Sequence, residues 1–316
     1  MKFATFTGGN GGYTLLSGLK KYDIGITSIM SCFDSGGSTG KLREEYGGIA
    51  LGDLRRGFLA LGSDKEPYRT MKDLLKKRFE KNTSLNGHSL GNLILFGLDI
   101  HKTPEGLEKA RKIFGLKENY KVIPPSFDDC QLCAELDDGT VIEGETNIDV
   151  PKHDSRLKIE RIFLRPEAKA YKEAIEEIES ADAIIIGPGD LYTSVMQSLL
   201  VKGIPEAIRK SEAKKIYVAN LMTKKGETEN FKVSDFVNEI QKYMGCLPDY
   251  VIVNNEKIEK KNIEELHLDF VEYDKEELER MGIKTVFADV VNEERSDVHN
   301  SEKLAKVIMG VIECRQ

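Results

Sequence analysis

Two glycine-rich turns, Gly8-Gly9-Asn10-Gly11-Gly12 and Asp34-Ser35-Gly36-Gly37-Ser38-Thr39-Gly40, each follow an apolar run of β character. Glycine lets backbone N–H groups approach an anion closely and adopt positive φ, and a helix opening after each turn adds unpaired amides and the positive end of its dipole. The pair reads as one phosphate cradle. Farther along, Ala183-Ile184-Ile185-Ile186 runs into Gly187-Pro188-Gly189-Asp190-Leu191-Tyr192-Thr193-Ser194. Likewise Ile216-Tyr217-Val218-Ala219 runs into Asn220-Leu221-Met222-Thr223, and Val251-Ile252-Val253 ends at Asn254-Asn255. In a doubly wound sheet such turns lie along one carboxyl edge, where these folds bind ligands.

Periodicity supplies the elements that must carry these turns. Phe3 to Thr7 predicts a strand, Thr14 to Lys20 a helix and Ile24 to Phe33 a second strand, a βαβ opening. Helical patterns follow at Asp53 to Leu61, Met71 to Lys81, Ser89 to Leu98 and Pro104 to Phe114. From about Tyr120 to Leu164 residues alternate, and Asp138-Gly139 between alternating runs signals a hairpin. This stretch predicts an antiparallel β insertion that shapes a lid or a dimer contact. The α/β pattern then resumes: helix Glu167 to Glu179, strand Ala183 to Ile186, helix Thr193 to Leu200, strand Lys215 to Ala219, helix Val233 to Met244 and strand Tyr250 to Val253. A closing helix is expected from Ser301 to Cys314. The expected fold class is α/β, a Rossmann-like doubly wound, mainly parallel sheet with an inserted antiparallel segment at about 120–164, in one domain over 1–316.

Composition narrows the chemistry. With 46 basic against 53 acidic residues and a net charge of -7, the 316-residue chain has no broad basic footprint for a nucleic-acid backbone. No apolar run approaches the ~20 residues that cross a bilayer, and no leader pattern follows Met1, so a cytoplasmic protein is expected. Five scattered cysteines make no disulfide framework. Cys130-Gln131-Leu132-Cys133 spells C-x-x-C, but on a strand residues three apart face opposite ways, which argues against zinc or redox use and for a core Cys130.

Several motifs come close to known patterns and miss. Gly9-Asn10-Gly11 lacks the third small residue of the dinucleotide fingerprint, since Thr14 stands there, although Asp34 sits near the offset of a ribose-binding carboxylate and keeps a nicotinamide enzyme open. Gly36 to Leu42 is one residue short of a Walker A loop and lacks its final hydroxyl. Gly87-His88-Ser89-Leu90-Gly91 satisfies G-x-S-x-G with His299 downstream, yet the polar stretch Lys76 to Asn86 supplies no strand for a nucleophile elbow. Ser89 reads more naturally as a helix N-cap, and Asn86, His88 and Asn92 as either ligand donors or a local cap network. Asp53 is either an N-cap or, with Asp34, a magnesium ligand. Arg55 and Arg56 oppose the dipole of the helix they open, which a pairing with phosphate or carboxylate explains better than helix stability does.

Taken in order, six motifs resemble the gluconeogenesis factor (YvcK-like) branch of the 2-phospho-L-lactate transferase (CofD) family. They are Gly8 to Gly12, Asp34 to Arg43, Gly52-Asp53-Leu54-Arg55-Arg56, Gly87 to Asn92, Gly187 to Ser194, and Asn220 to Thr223 with Gly226-Glu227-Thr228. The resemblance implies a Rossmann-like core with its site at the sheet edge. In the transferase branch that site moves a phospholactyl group from a nucleotide diphosphate donor onto a deazaflavin precursor with magnesium. In the factor branch it binds UDP-sugars and supports cell-wall and cell-shape control during gluconeogenic growth. Three departures stand out: Gly11 where the family has threonine, Ser35 where it has a second aspartate, and Val298-His299-Asn300 where it often has Arg-His-Asp.

The leading expectation is a cytoplasmic nucleotide-sugar-binding regulator, with Gly8, Gly9, Asn10, Gly11, Gly12, Gly36, Gly37, Gly187, Pro188 and Gly189 around the phosphates. Asn220 and Asn254 would read polar groups, with Tyr192, Thr193 and Met222 beside them, and Asn86, His88 and Asn92 offer further donors. Asp34 and Arg56 would sit where a sugar or acceptor rests. In a transferase, Asp34 and Asp53 are the catalytic candidates and Asp34 the metal ligand, for a possible magnesium ion. The expected partners are a nucleotide-sugar or nucleotide diphosphate and a second copy in a homo-oligomer, with neither nucleic acid nor membrane.

Overall fold

The computed structural model describes residues 1–80, 83–151, 154, 156–256 and 269–313. In chain order the first half contains β1 (Lys2–Thr7), α1 (Gly9–Leu19), β2 (Gly25–Met30), α2 (Gly37–Tyr46), α3 (Gly52–Leu61), α4 (Tyr68–Lys76), α5 (Leu90–Gly97), α6 (Glu105–Ile113) and β3 (Tyr120–Ile123). An excursion follows through β4 (Gln131–Leu136), β5 (Val141–Glu143), α7 (Glu145–Asp149) and β6 (Ile159–Arg165). The second half is α8 (Lys172–Glu179), β7 (Ala183–Ile186), a π turn over Leu191–Val195, α9 (Met196–Leu199), α10 (Ile204–Lys210), β8 (Lys214–Val218), α11 (Val233–Met244), β9 (Tyr250–Asn254), α12 (Lys275–Arg280), β10 (Lys284–Ala288) and α13 (Ser301–Glu313).

Seven strands form one parallel sheet in the order β10-β9-β8-β7-β1-β2-β3. β1 lies inside it, with Phe3 opposite Ile26 of β2 on one side and Ala183 of β7 on the other. The chain therefore winds outward from β1 to β3 and in the opposite direction from β7 to β10, which puts the topological switch between β1 and β7. β1 and β7 read as unbroken apolar runs because both faces are covered, and every residue from Phe3 to Thr7 and from Ala183 to Ile186 is buried. Among the covering helices, α1 packs on α3 and α13, and α10 on α8 and α11. No helix among the described residues is long and apolar enough to cross a membrane.

The alternating stretch divides differently from its sequence pattern. Its first run, β3, joins the main sheet as the edge strand parallel to β2, so the antiparallel insertion is only the three-stranded sheet β5-β4-β6. Asp137 to Thr140 turns the β4–β5 hairpin, with Gly139 at φ 84°. Cys130 and Cys133 are buried free thiols. The first helix starts five residues before the expected Thr14, at Gly9, because the glycine turn is itself the first helical turn: Gly12 N–H donates to Gly8 O at 2.9 Å. The helix predicted at Met71 begins at Tyr68 and ends at Lys76, and its expected terminus at Lys81 lies outside the described residues. Cys314, expected to end the last helix, also lies outside them.

α1 meets α13 at Gly18, where an added Cβ would stand 2.0 Å from Ser301 O. Because that obstacle is backbone, the helices must separate to admit a methyl group. Gly18→Ala is therefore expected to cost about 3 kcal/mol, read as a lower urea midpoint with an unchanged m-value.

Candidate functional site

Parallel strands end at a common edge, and at the switch point the turns after β1 and β7 diverge from the crevice instead of crossing it. The resulting cleft, about 220 Å³, is lined by the Gly8–Gly11 turn, by Pro188, Gly189, Asp190 and Ser194 after β7, and by Asn220, Leu221 and Met222 after β8. Asp297, Val298 and His299 close it from the C-terminal side. The two glycine turns are fitted to each other. Thr7 Oγ1 donates to Pro188 O at 2.7 Å, and a Cβ on Gly11 would lie 2.6 Å from that same carbonyl oxygen.

Asp53, at the start of α3, reaches into the amino end of α1. Its Oδ2 accepts the Gly9 N–H at 3.0 Å and would stand 2.5 Å from a Cβ on Gly8, while its Oδ1 accepts from Arg56 Nη1 at 2.5 Å. One helix-end amide is thus already answered by a carboxylate. The N–H groups of Asn10 and Gly11 stand in the same first turn, where an α-helix offers no internal carbonyl.

The second glycine turn does not share this cleft. Gly36 and Gly37 open α2 onto a neighbouring cavity of about 270 Å³ with Ser38 and Thr39, the Arg55, Arg56 and Arg78 guanidinium groups, Asn92, and three carboxylates, Asp34, Glu145 and Asp149. The expected single cradle is therefore two compartments, with Asp53 bridging from the Gly9 amide on one side to Arg56 on the other. A second bridge is Lys224, whose ammonium contacts Asp190 of the first compartment at 3.0 Å, Asp149 of the second, and the buried Glu227 at 2.7 Å. Burial raises the Glu227 carboxyl to about 8 against the pull of Lys224.

Burial, followed by the charges of Asp53 and Glu145, pushes the Asp34 carboxyl well above its ordinary range. Magnesium needs hard oxygens converging on one point. Both Asp53 oxygens are engaged by Gly9 and Arg56, and among the described residues no group of three His, Cys, Asp or Glu side chains is placed to hold a metal. The described side chains alone thus form no closed metal cage, and magnesium there would be held by one or two carboxylates with water or a ligand's phosphates.

Of the residues singled out from sequence, Gly8, Gly9, Asn10, Gly11, Pro188, Gly189, Asn220 and Met222 meet in the first cleft. Asp34, Gly36, Gly37, Arg56 and Asn92 meet in the second cavity. Gly12, Asn86, His88, Gly187, Tyr192, Thr193 and Asn254 line neither. Asn220 is occupied at both ends, accepting from Tyr217 Oη at 3.0 Å and donating to Gly189 O at 2.8 Å. Asn254 ties β9 to Val290 and Glu256. His88 Nδ1 lies 3.1 Å from Ser38 Oγ, bracing α2, and Ser89 is the N-cap of α5, its hydroxyl accepting Asn92 N–H at 3.1 Å. That cap, with no strand leading into it, removes the hydrolase geometry. Sequence reasoning missed Glu145 and Asp149, which the insertion delivers on α7, and Asp190 and Lys224, while the charged face with Lys72, Lys76, Lys77 and Arg78 reads from sequence as solvated first and ligand-binding second. The second glycine turn, together with the unusual charge of Arg55 and Arg56 in a first helical turn, signalled the second cavity.

The sequence matches the family described as 2-phospho-L-lactate transferase CofD over residues 4–291. It is 38% identical to the gluconeogenesis factor of Bacillus subtilis, over 98% of this chain and 98% of that protein. It is also 38% identical to the gluconeogenesis factor of Halalkalibacterium halodurans, over 96% and 94%. A crystal structure of a Bacillus halodurans protein, 37% identical, superposes with a TM-score of 0.90 over 98% of this chain and 99% of that one.

His299 yields a stability prediction. Burial lowers its imidazole to about 4, partly offset by a hydrogen bond to the Ala219 carbonyl, and its Nε2 has no partner among the described residues. Below the ordinary value of 6.5 the unfolded chain binds a proton there that the folded chain refuses until about 4, so stability falls with falling pH across that window. The expected loss is about 2 to 3 kcal/mol near pH 4.5. In His299→Phe this component should vanish, seen as a smaller difference between urea midpoints at pH 7.5 and 4.5 than in the parent.

Proposed function

The chain belongs to the 2-phospho-L-lactate transferase CofD family, and on that premise we propose that it is a cytoplasmic nucleotide-sugar-binding regulator of the gluconeogenesis factor type. The supporting observation is the cleft at the β1/β7 switch point, where two glycine turns expose backbone rather than side chains. A diphosphate lies against the Asn10 and Gly11 amides and the Gly189 backbone. The nucleoside extends over Leu221, Met222 and Val298, and uridine is the base in this reading. The group carried by the diphosphate faces Asp53, and Asp34 and Arg56 line the compartment beyond it. Control of cell wall and cell shape in gluconeogenic growth is the role in which such binding serves.

A second reading, transfer from a nucleotide diphosphate donor to an acceptor, is favoured by the adjacent cavity, which offers an acceptor its own compartment. Both readings predict nucleotide binding and only the second predicts turnover. Calorimetry with UDP, UDP-sugars, GDP and GTP, with and without magnesium, tests them. UDP and UDP-sugars are expected to bind at micromolar Kd, and absence of binding by every nucleotide would sink both. Gly9 adopts φ 59°, which valine strongly disfavours. Gly9→Val should therefore weaken binding by at least about tenfold while far-UV circular dichroism stays that of the parent.

A further inference from the structure

The second cavity contains a guanidinium that no carboxylate among the described residues pairs with directly. Arg55 is only 8% exposed, and its Nε donates to the neutral Asn92 Oδ1 at 3.0 Å. The carboxylate two positions before it, Asp53, pairs with Arg56 instead, and among the described residues no ion pair reaches Arg55. Burial, together with the like charges of Arg56 and Arg78, lowers its guanidinium to about 10 against the weaker pull of Asp53. A buried cation without a direct ion pair is costly to keep, and packing alone does not require one in the wall of a cavity.

An independent feature points the same way. α2 runs ten residues from Gly37, and its N-cap Gly36 has no side chain with which to satisfy the amides of the first turn. Those amides, at Gly37, Ser38 and Thr39, open on the cavity that Arg55 and Arg78 face. Beside these amides stand groups of the reverse character, with Glu145 Oε2 accepting the Ser35 N–H at 3.4 Å. Asp34 and Glu145 are carboxyl groups that burial pushes upward, surfaces for hydroxyl groups.

We propose that this cavity is a separate site for a small hydroxylated anion, a phosphate or carboxylate on a short polyol. Its anionic end pairs with Arg55, Arg78 and the α2 amides, and its hydroxyls meet Asp34 and Glu145. A neutral sugar carried by the nucleotide would serve the carboxyl groups and leave Arg55 unpaired. A metal cation would face three guanidinium groups. The volume of about 270 Å³ suits a compact metabolite and not a second nucleotide. The assignment rests on no part of the nucleotide reading, and failure of UDP to bind leaves it standing.

The test is thermal denaturation of the full chain at constant ionic strength in sodium chloride, inorganic phosphate or glycerol 3-phosphate, with parent, Arg55→Gln, Arg78→Gln and Gly9→Val proteins. The parent should gain about 3 °C in millimolar glycerol 3-phosphate over chloride, and less in inorganic phosphate, which lacks the hydroxyls. Arg55→Gln should melt at or above the parent in chloride, since a costly charge has gone, while its affinity for glycerol 3-phosphate drops at least about tenfold. Arg78→Gln, an exposed change, should weaken the gain without moving the chloride value, and Gly9→Val should retain the gain. The proposal is overturned if the parent gains nothing, if Arg55→Gln is unfolded or less stable in chloride, or if it keeps the full gain. It is equally overturned if Gly9→Val alone abolishes the gain, which would put the anion in the first cleft.

Discussion

Everything functional in this molecule depends on the pairing of β1 with two parallel neighbours reached in opposite directions. β2 follows it through one crossover, while β7 arrives only after the first half of the fold and the antiparallel insertion are complete. No connection has to pass over the carboxyl ends of β1 and β7, so a crevice remains there without any special side chain to hold it open. The turns that border it need only avoid filling it. Glycine does this, and the Thr7 hydroxyl fastens the two borders together through Pro188 O.

Within that frame, charge is used for placement. A carboxylate at a helix amino end contributes on the order of 1 kcal/mol, and a buried ion pair is weak evidence of net stabilisation. The value of Asp53 lies instead in touching both compartments, since one oxygen holds the Gly9 amide and the other holds Arg56. Lys224 does the same farther out through Asp190 and Asp149. Each compartment thus borders a charge whose partner belongs to the other.

The first cleft was legible in the sequence because its walls are strand ends, and a strand end announces itself locally, as an apolar run that breaks at glycine. Gly8 to Gly11, Pro188, Gly189, Asn220 and Met222 could be placed on one edge from that signal alone. The second cavity was half legible. Its α2 and α3 residues lie near the second glycine turn, but Glu145 and Asp149 come from a short helix more than a hundred residues away, and no spacing rule relates them to Asp34. The single-cradle expectation failed for the same reason: adjacency in sequence of two similar turns carries no information about the Asp53 side chain that divides them. The β3 strand was misplaced because an edge strand of a parallel sheet alternates like an antiparallel one. Asn220 and Asn254 looked like ligand readers because asparagine after a strand is a polar group at the right edge, while the partners that occupy them lie on other loops.

The contact of Gly11 with Pro188 has an evolutionary meaning. Even a methyl group at this place would collide with a backbone oxygen that Thr7 holds in position. The two turns form an epistatic pair: Gly11 cannot gain a side chain alone, because that step is obstructed by a loop encoded far downstream. A lineage with this narrow border would be held to it, and its ligand would have to suit a backbone wall.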